Sequence, residues 1–367
     1  MEPQPVKTAI VAFGKSAKIF HAPFLQTNPK FEVVATVERN RNEGETWFPG
    51  IVTYRSMEEM LDNKAIELVV ITTPNDTHFS YSKMALQNEK YAVVEKPFTI
   101  TPGEAMELVE LSKTSQKFAS VYHNRRYVSD FRSIVEIVRE DLLGDIHEYE
   151  CHFDRYRPAL VEGAWREKNL PGSGITYDLG SHLIDQTLCL FGFPASVTAT
   201  IKTQRPGLET DDYFDIRFDY ANGMRSILKS GMLVREMGYR YQIHGTKGSF
   251  LKSGDDPQEE KLKAGALPDT PAWGFEPEGM EGLIHTEIHG EAVRQKRKSY
   301  AGNYGDYYRN IYQSIRHHAP LKEKPEHGYN VVKLIELAFE SSRLQKTIPV
   351  AGLMETDYPF ENLPWNR

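Results

Sequence analysis

Near the start of the chain, Val11-Ala12-Phe13-Gly14-Lys15-Ser16-Ala17 follows an apolar, β-branched run. A dinucleotide-binding turn reads G-x-G-x-x-G/A at such a place, and here the three positions hold Ala12, Gly14 and Ala17. The central glycine does the most specific work, because a residue without a side chain lets the backbone approach a pyrophosphate at a helix N-terminus. The competing interpretation is an unrelated tight turn from strand to helix. Glu38 ends the second apolar run, 38 − 14 = 24 residues after Gly14. That is near the offset at which a carboxylate grips the adenosine ribose hydroxyls, although a surface glutamate at a strand end would look the same. Arg39 and Arg41 follow at once, and an arginine can stack on adenine or hold a 2′-phosphate. Glu38 argues for NAD by repelling that phosphate and the arginines argue for NADP; the balance leans to NAD.

Two more segments follow apolar runs, Thr72-Thr73-Pro74-Asn75-Asp76-Thr77-His78 and Glu95-Lys96-Pro97-Phe98. Both fall where the carboxyl ends of parallel strands form a ligand crevice. Lys96 stands before a proline, on a turn biased to extended backbone. By itself, a Lys-Pro pair reads as a solvated surface charge.

These residues need a scaffold, and the first third of the chain supplies its pattern. Lys7–Gly14, Phe31–Val37, Glu67–Thr72, Tyr91–Val94 and Phe118–Tyr122 read as strands buried on both faces. Helical stretches lie between them: one opened by Ser56 and Glu59 at capping-box spacing, then Thr77–Asn88 and Pro102–Ser115. Alternation of this kind predicts right-handed βαβ units and a doubly wound parallel sheet.

The pattern changes after about Asn124. Ser129 is placed to cap a helix running to Leu143, with Gly144 as its stop. Ile146–Phe153 alternates, with His147, Tyr149, Cys151 and Phe153 on one face and Glu148, Glu150 and His152 on the other. A helix fits Thr176–Phe191. Strands fit Val197–Thr203, Tyr213–Tyr220, Met224–Ser230 and Tyr239–His244, with Asn222-Gly223 as a hairpin turn. Gly254–Gly282 is a loop by composition, either a disordered flap or a segment held by packing. Lys296-Arg297-Lys298 reads as a solvated hairpin turn. Helices at Tyr304–His318 and Gly328–Leu344 close the chain. The expected organisation is a dinucleotide-binding domain at 1–124 and, at 125–367, an α+β domain for substrate binding and oligomerisation. The second domain carries a large, open, mostly antiparallel sheet.

Composition narrows the function classes. The 367 residues carry 44 Lys+Arg against 51 Asp+Glu, a formal charge of −7, which disfavours a general nucleic-acid binder. No apolar run approaches the roughly 20 residues of a bilayer span, and the N-terminus lacks signal-peptide features. Cys151 and Cys189 give neither a disulfide framework nor a zinc pattern, so a reduced, cytoplasmic protein without a metal is expected.

Taken together, the segments resemble the Gfo/Idh/MocA oxidoreductases. The matching residues are Ala12-Phe13-Gly14 with His21-Ala22-Pro23, Thr73-Pro74-Asn75 with His78, Glu95-Lys96-Pro97, and Asp178-Leu179-Gly180-Ser181-His182. More narrowly, Tyr122-His123-Asn124-Arg125-Arg126, Trp165-Arg166-Glu167 and Tyr177–Gln186 look like the NADP-linked scyllo-inositol dehydrogenase branch, as do Tyr241–Gly245 and Trp273-Gly274. Two departures stand out. Ala12 replaces the first fingerprint glycine, and Glu38 stands where that branch often has a small hydroxyl residue.

The resemblance implies an NAD(P)-dependent dehydrogenase acting on a secondary alcohol of an inositol, another cyclic polyol or a sugar. It implies a cofactor held by Phe13, Gly14, Ala17, Glu38, Arg39, Thr73, Pro74, Asn75, His78, Glu95, Lys96, Pro97 and Asn124, with Trp165 and Arg166 near the nicotinamide. Catalysis would rest on Lys96, Asp178 and His182. Asp178 and His182 are i, i+4 on the expected helix and so share a face. His182 would take the hydroxyl proton, Asp178 would orient or stabilise the imidazole, and Lys96 would favour negative charge on the substrate oxygen. Asp185 shares that face as a supporting group. Substrate contacts are expected from Lys96, Asn124, Arg126, Arg155, Tyr156, Tyr177, Asp178 and His182; Arg155 and Tyr156 could equally just end a strand. A homodimer or homotetramer through the open sheet is implied as well. The alternatives are a dehydrogenase or keto-reductase for another sugar or glycoside, and a non-catalytic dinucleotide-binding sensor.

Overall fold

The computed structural model describes residues 4–161 and 163–358; the first three residues of the N-terminal segment lie outside them. The chain forms two compact units. The first comprises 1–127, 257–273 and 303–329, and the second 128–256, 274–302 and 330–367.

The first unit is built on six parallel strands: β1 (Val6–Val11), β2 (Phe31–Val37), β3 (Val52–Tyr54), β4 (Leu68–Ile71), β5 (Tyr91–Val94) and β6 (Ala119–Val121). Their order is β3-β2-β1-β4-β5-β6, so the winding reverses between β1 and β4. β4 is wholly buried, as its unbroken apolar run requires. The short strand β3 carries little apolar signal and escapes the sequence pattern. The connecting helices include α1 (Ala22–Gln26), α2 (Glu43–Trp47), α3 (Met57–Leu61), α4 (His78–Gln87) and α5 (Pro102–Ser115). Ser56 caps α3 by accepting from the Glu59 amide, but the Glu59 carboxylate returns to the Arg55 amide, not to Ser56. The full reciprocal box forms at Thr101 and Glu104.

A single cut at 124/125 does not describe this unit, because two later segments belong to it. Buried Gln258 explains their attachment. Its Oε1 accepts from Trp273 Nε1 (3.0 Å) and the Tyr304 amide (2.9 Å), while its Nε2 donates to the Tyr127 carbonyl (3.2 Å). Gly254–Gly282 is therefore no simple loop: it contains the helix Gln258–Lys263 and buries Trp273. Helix Gly305–His317 packs Tyr308 and Tyr312 against Phe31.

The second unit carries α6 (Ser129–Arg139) and α7 (Ser181–Phe191) over a nine-stranded sheet. Its strands are β7 (Ile146–His152), β8 (Ser196–Lys202), β9 (Tyr213–Asp219), β10 (Arg225–Gly231), β11 (Tyr241–Gly245), β12 (Gly248–Lys252), β13 (Gly282–Ile288), β14 (Glu291–Arg297) and β15 (Ile348–Pro349). The order is β14-β13-β12-β11-β7-β10-β9-β8-β15, antiparallel except for β7 beside β10. Tyr149, Phe214, Ile216, Phe218 and Tyr241 fill the buried face, where α7 contributes Phe191 and Gln186. Glu150, His152, Asp215 and Arg217 alternate onto the other face.

Three expectations change here. Ser129 is the first residue of α6 and does not cap it; its hydroxyl donates to Glu276 (2.7 Å) and its amide to Asp256 (2.7 Å). The helix ends at Arg139, before Asp141 turns into the left-handed region at φ 55°, not at Leu143. Lys296 and Arg297 lie on β14 instead of in its turn, which falls at His289-Gly290, and Arg297 pairs with both oxygens of Glu140.

Candidate active site

All six strands of the first unit end on one rung: Tyr54, Val37, Val11, Ile71, Val94 and Val121 are successive partners across the sheet. Except after Tyr54, the residue after each rung position donates its amide to the last carbonyl of a neighbouring strand. Ala12 donates to Val37, Thr72 to Val11, Glu95 to Ile71 and Tyr122 to Val94. Three sequence-predicted segments thereby emerge side by side at the carboxyl edge, around the β1/β4 reversal where open α/β sheets bind ligands.

Ala12 adopts φ 67°, the conformation a fingerprint glycine takes without strain. The Thr72 hydroxyl donates to the Ala12 carbonyl (2.6 Å). A Cβ added at Gly14 would meet no protein atom within 4 Å. The protein's own packing does not require that glycine, so the open space beside it suits an approaching pyrophosphate. Phe13 turns its ring inward, edge-on to Trp47 (6.2 Å) and Phe48 (6.4 Å), and leaves only its backbone at the turn. One helical run covers 15–26, and its middle, Ala17–His21, is a π turn. Pro23 has no amide to donate to Ile19, which favours the widened turn.

Glu38 is committed to the chain's own backbone at the start of α2. It is 6% exposed, and its oxygens accept from the Glu43 amide (2.9 Å), the Gly44 amide (2.9 Å) and the Thr36 hydroxyl (3.1 Å). It serves as the anionic cap of α2. Arg55 donates to the carbonyls of Glu38 and Arg41 (both 2.8 Å), which fixes the loop, while the Arg39 side chain is exposed. The basis for preferring NAD is thus removed.

His78 is fully buried. Its Nδ1 lies 2.7 Å from the Pro97 carbonyl and its Nε2 3.0 Å from the Thr73 carbonyl, so it clamps two loops together. Thr73 accepts from the Thr77 hydroxyl (2.7 Å), Asn75 is buried, and Pro74 is exposed. Lys96-Pro97 is a cis peptide. Glu95 is buried beneath the edge, where its Oε1 accepts from Ser16 and from His21 Nε2 (3.0 Å) and its Oε2 from the Lys96 amide (3.1 Å). Burial alone would raise its pKa; the interaction with His21, then the Ser16 hydroxyl and the Lys96 charge, outweigh burial and hold it at about 2. Sequence reasoning gave Ser16, His21 and Tyr308 no role. A hydroxyl inside the glycine turn and a histidine one turn later were the available signals.

Asn124 is buried just beyond β6. Arg126 is 2% exposed and donates to the Lys322 carbonyl (2.9 Å) beside Glu323 and His327.

In the second unit, the helical run 174–191 contains a π turn, Thr176–Gly180, near its start and continues as α7. Asp178 therefore lies on a widened turn, where residues four apart fall just short of one revolution. Such turns recur at functional sites. His182 is buried, with the ring of Phe153 at 6.5 Å. Arg166 Nε approaches Asp178 to 3.8 Å, and the same guanidinium stacks over Trp165 at 4.6 Å. Asp185 is buried farther along α7. Arg155 stacks on Phe153 (5.2 Å), and Tyr156 bridges to Leu233 and accepts from Arg235 (2.5 Å). Tyr177 stacks on Phe339 (5.8 Å) and lines a pocket of about 420 Å³ with Lys202, Asp211 and Arg343. Among the described residues, no three potential ligands cluster as a metal site, and no helix is long and apolar enough to cross a membrane.

Comparison with known proteins bears directly on this arrangement. Residues 6–123 match "Oxidoreductase family, NAD-binding Rossmann fold" and residues 135–350 match "Oxidoreductase family, C-terminal alpha/beta domain", the two parts of the Gfo/Idh/MocA description. The chain belongs to the Gfo/Idh/MocA oxidoreductase family. A Bacillus subtilis member, scyllo-inositol 2-dehydrogenase (NADP(+)) IolW, is 39% identical over 343 residues, covering 94% of this chain and 95% of that protein. The solved structure of yvaA from Bacillus subtilis superposes with a TM-score of 0.92 at 38% identity, covering 96% of this chain and 100% of the other. A Bacteroides fragilis structure does so at 0.87 and 41%, covering 95% and 100%. Within the Gfo/Idh/MocA family, the six-stranded parallel unit is the nicotinamide-binding part and the nine-stranded unit the C-terminal domain.

Proposed function

We propose that this chain is an NADP(H)-linked dehydrogenase of an inositol or closely related cyclic polyol. The observation that carries the reaction is the placement of Asp178 on a π turn four residues before buried His182, in a chain alike along nearly its whole length to an inositol dehydrogenase. The cofactor choice rests on Glu38: with its oxygens committed to α2, exposed Arg39 is available to a 2′-phosphate.

The residues divide the work as follows. The turn Ala12–Ala17 would hold the pyrophosphate, with Thr73, Pro74 and Asn75 lining the next strand end. Bound nicotinamide supplies a hydride acceptor. His182 would take the proton of the substrate hydroxyl, and Asp178 would stabilise the imidazolium that results. Lys96 hydrogen-bonds the substrate oxygen and offsets its developing charge. Arg166 and Trp165 support Asp178, and Tyr177, Arg155 and Tyr156 border the substrate. Covering the polar face of the nine-stranded sheet by a second copy fits this scheme, as does a cytoplasmic setting with reduced Cys151 and Cys189.

The test mixes purified protein with NADP+ or NAD+ and a panel of inositols, hexoses and glucosides while following reduced-nicotinamide absorbance. Turnover of an inositol with NADP+ is expected. Turnover of glucosides alone, or of nothing while NADPH still binds, would overturn the substrate assignment.

A further inference from the structure

Glu95 is one carboxylate serving two segments. Its Oε1 holds the Ser16 hydroxyl of the glycine turn, and its Oε2 holds the amide of Lys96. Neither can shift without turning the other. What fixes the carboxylate is His21, whose Nε2 lies 3.0 Å from Oε1. A carboxylate oxygen only accepts, so Nε2 carries the proton; Nδ1 meets the Tyr308 hydroxyl at 2.6 Å. Tyr122 covers the imidazole at 4.3 Å between centroids, and Tyr308 stands edge-on at 6.1 Å. The ring is 0% exposed and held on every side.

The π turn explains why one oxygen can receive both groups. Ser16 and His21 are five residues apart. In an α-helix they would point well away from each other, but the wider i→i+5 turn holds more residues per revolution and turns the two toward one side, and the Ala22 amide donates to the Ala17 carbonyl across it. The bulge thus aims a hydroxyl from the glycine turn and a buried imidazole at the same atom.

We propose that His21, held by Tyr308, is a positioning residue that sets Glu95 and thereby couples dinucleotide binding at the glycine turn to the placement of Lys96. This rests on the dehydrogenase assignment above. His21 and Tyr308 act through Glu95 and touch neither substrate nor cofactor.

The test uses the full-length protein and three variants: His21→Gln, Tyr308→Phe and Ser16→Ala. Dinucleotide affinity is read by calorimetric titration with NADPH in the absence of substrate, and kcat at saturating cofactor. His21→Gln is expected to weaken NADPH binding and to lower kcat by about tenfold or more each, because a small misplacement of a catalytic group is costly. Tyr308→Phe removes one hydroxyl and keeps the packing; it should move both quantities in the same direction by about two- to fivefold. The Ser16→Ala and His21→Gln effects on NADPH affinity should be non-additive in a double-mutant cycle. Variants that melt earlier but keep Kd and kcat within about twofold of the parent would show a structural role only and overturn the coupling. If His21→Gln does not fold, Tyr308→Phe decides by the same criterion. A parent protein that binds neither NADPH nor NADH overturns the dehydrogenase reading instead, a result distinct from the variant outcomes.

Discussion

The Thr72 hydroxyl lies 2.6 Å from the carbonyl oxygen of Ala12, the residue that holds a left-handed conformation at the head of the glycine turn. An alanine there costs roughly 1–2 kcal/mol relative to an unstrained backbone, and the bonds from Thr72 help keep it in place. Ala12→Gly should therefore raise the unfolding free energy by about 0.5–1 kcal/mol after the entropy lost by glycine is counted. Urea denaturation measures this; a loss of stability would mean the methyl group packs usefully.

Glu38 and Arg39 are neighbours with opposite assignments. Glu38→Gln should cost about 1 kcal/mol or more of stability, since two amides at the start of α2 lose a charged acceptor, and should leave the ratio of NADPH to NADH affinity within about twofold. Arg39→Ala should weaken NADPH by about tenfold, the loss of one charge-assisted contact, and NADH far less. Parallel titrations of both nucleotides separate the two residues.

Arg126 shares a buried cluster with Glu323, at 3.6 Å. Arg126→Met leaves an anion without its cation and should cost about 3–5 kcal/mol. A stable protein with a raised substrate KM would place Arg126 in the substrate site.

His182→Ala should lower kcat/KM by about 10²–10⁴, the usual worth of a general base, with the melting temperature little changed. Asp178→Asn should lower it less and shift the alkaline-to-neutral limb of the pH profile, because a neutral amide stabilises an imidazolium poorly. Equal rates in parent and variants would remove both from the mechanism.

His152 lies on the polar face of the nine-stranded sheet between Glu150 (2.7 Å) and Asp154 (2.8 Å). Burial lowers its pKa, but the hydrogen bonds and charges of Asp154 and Glu150 outweigh burial and raise it above the ordinary 6.5. A raised folded-state value means the stabilisation is complete below pH 6.5 and fades as pH rises through the folded pKa. The stability difference between parent and His152→Gln should accordingly shrink from pH 6 towards alkaline pH. Ring-proton NMR should place the His152 midpoint above 6.5.

The sequence by itself determined the repeating strands, because runs such as Leu68–Ile71 are too apolar to lie anywhere but inside a sheet covered on both faces. It also determined the presence of Gly14, Lys96, Asp178 and His182 and most helix spans, Pro102–Ser115 to the residue. Local spacing carries these, since periodicity and turn chemistry act over a few residues. What required tertiary structure was the partner of each polar group. Glu38 has the right offset for a ribose, yet its oxygens are taken by amides five and six residues on. Arg126 reads as a ligand residue and is committed to a segment nearly two hundred residues away in sequence. Gln258 draws Trp273 and Tyr304 to Tyr127, which no composition count over Gly254–Gly282 reveals. The π turn at His21 likewise has no periodic signature, because it interrupts the helical repeat. A buried hydrogen-bonding group must find a partner wherever the chain provides one, and only the fold decides which distant residue that is.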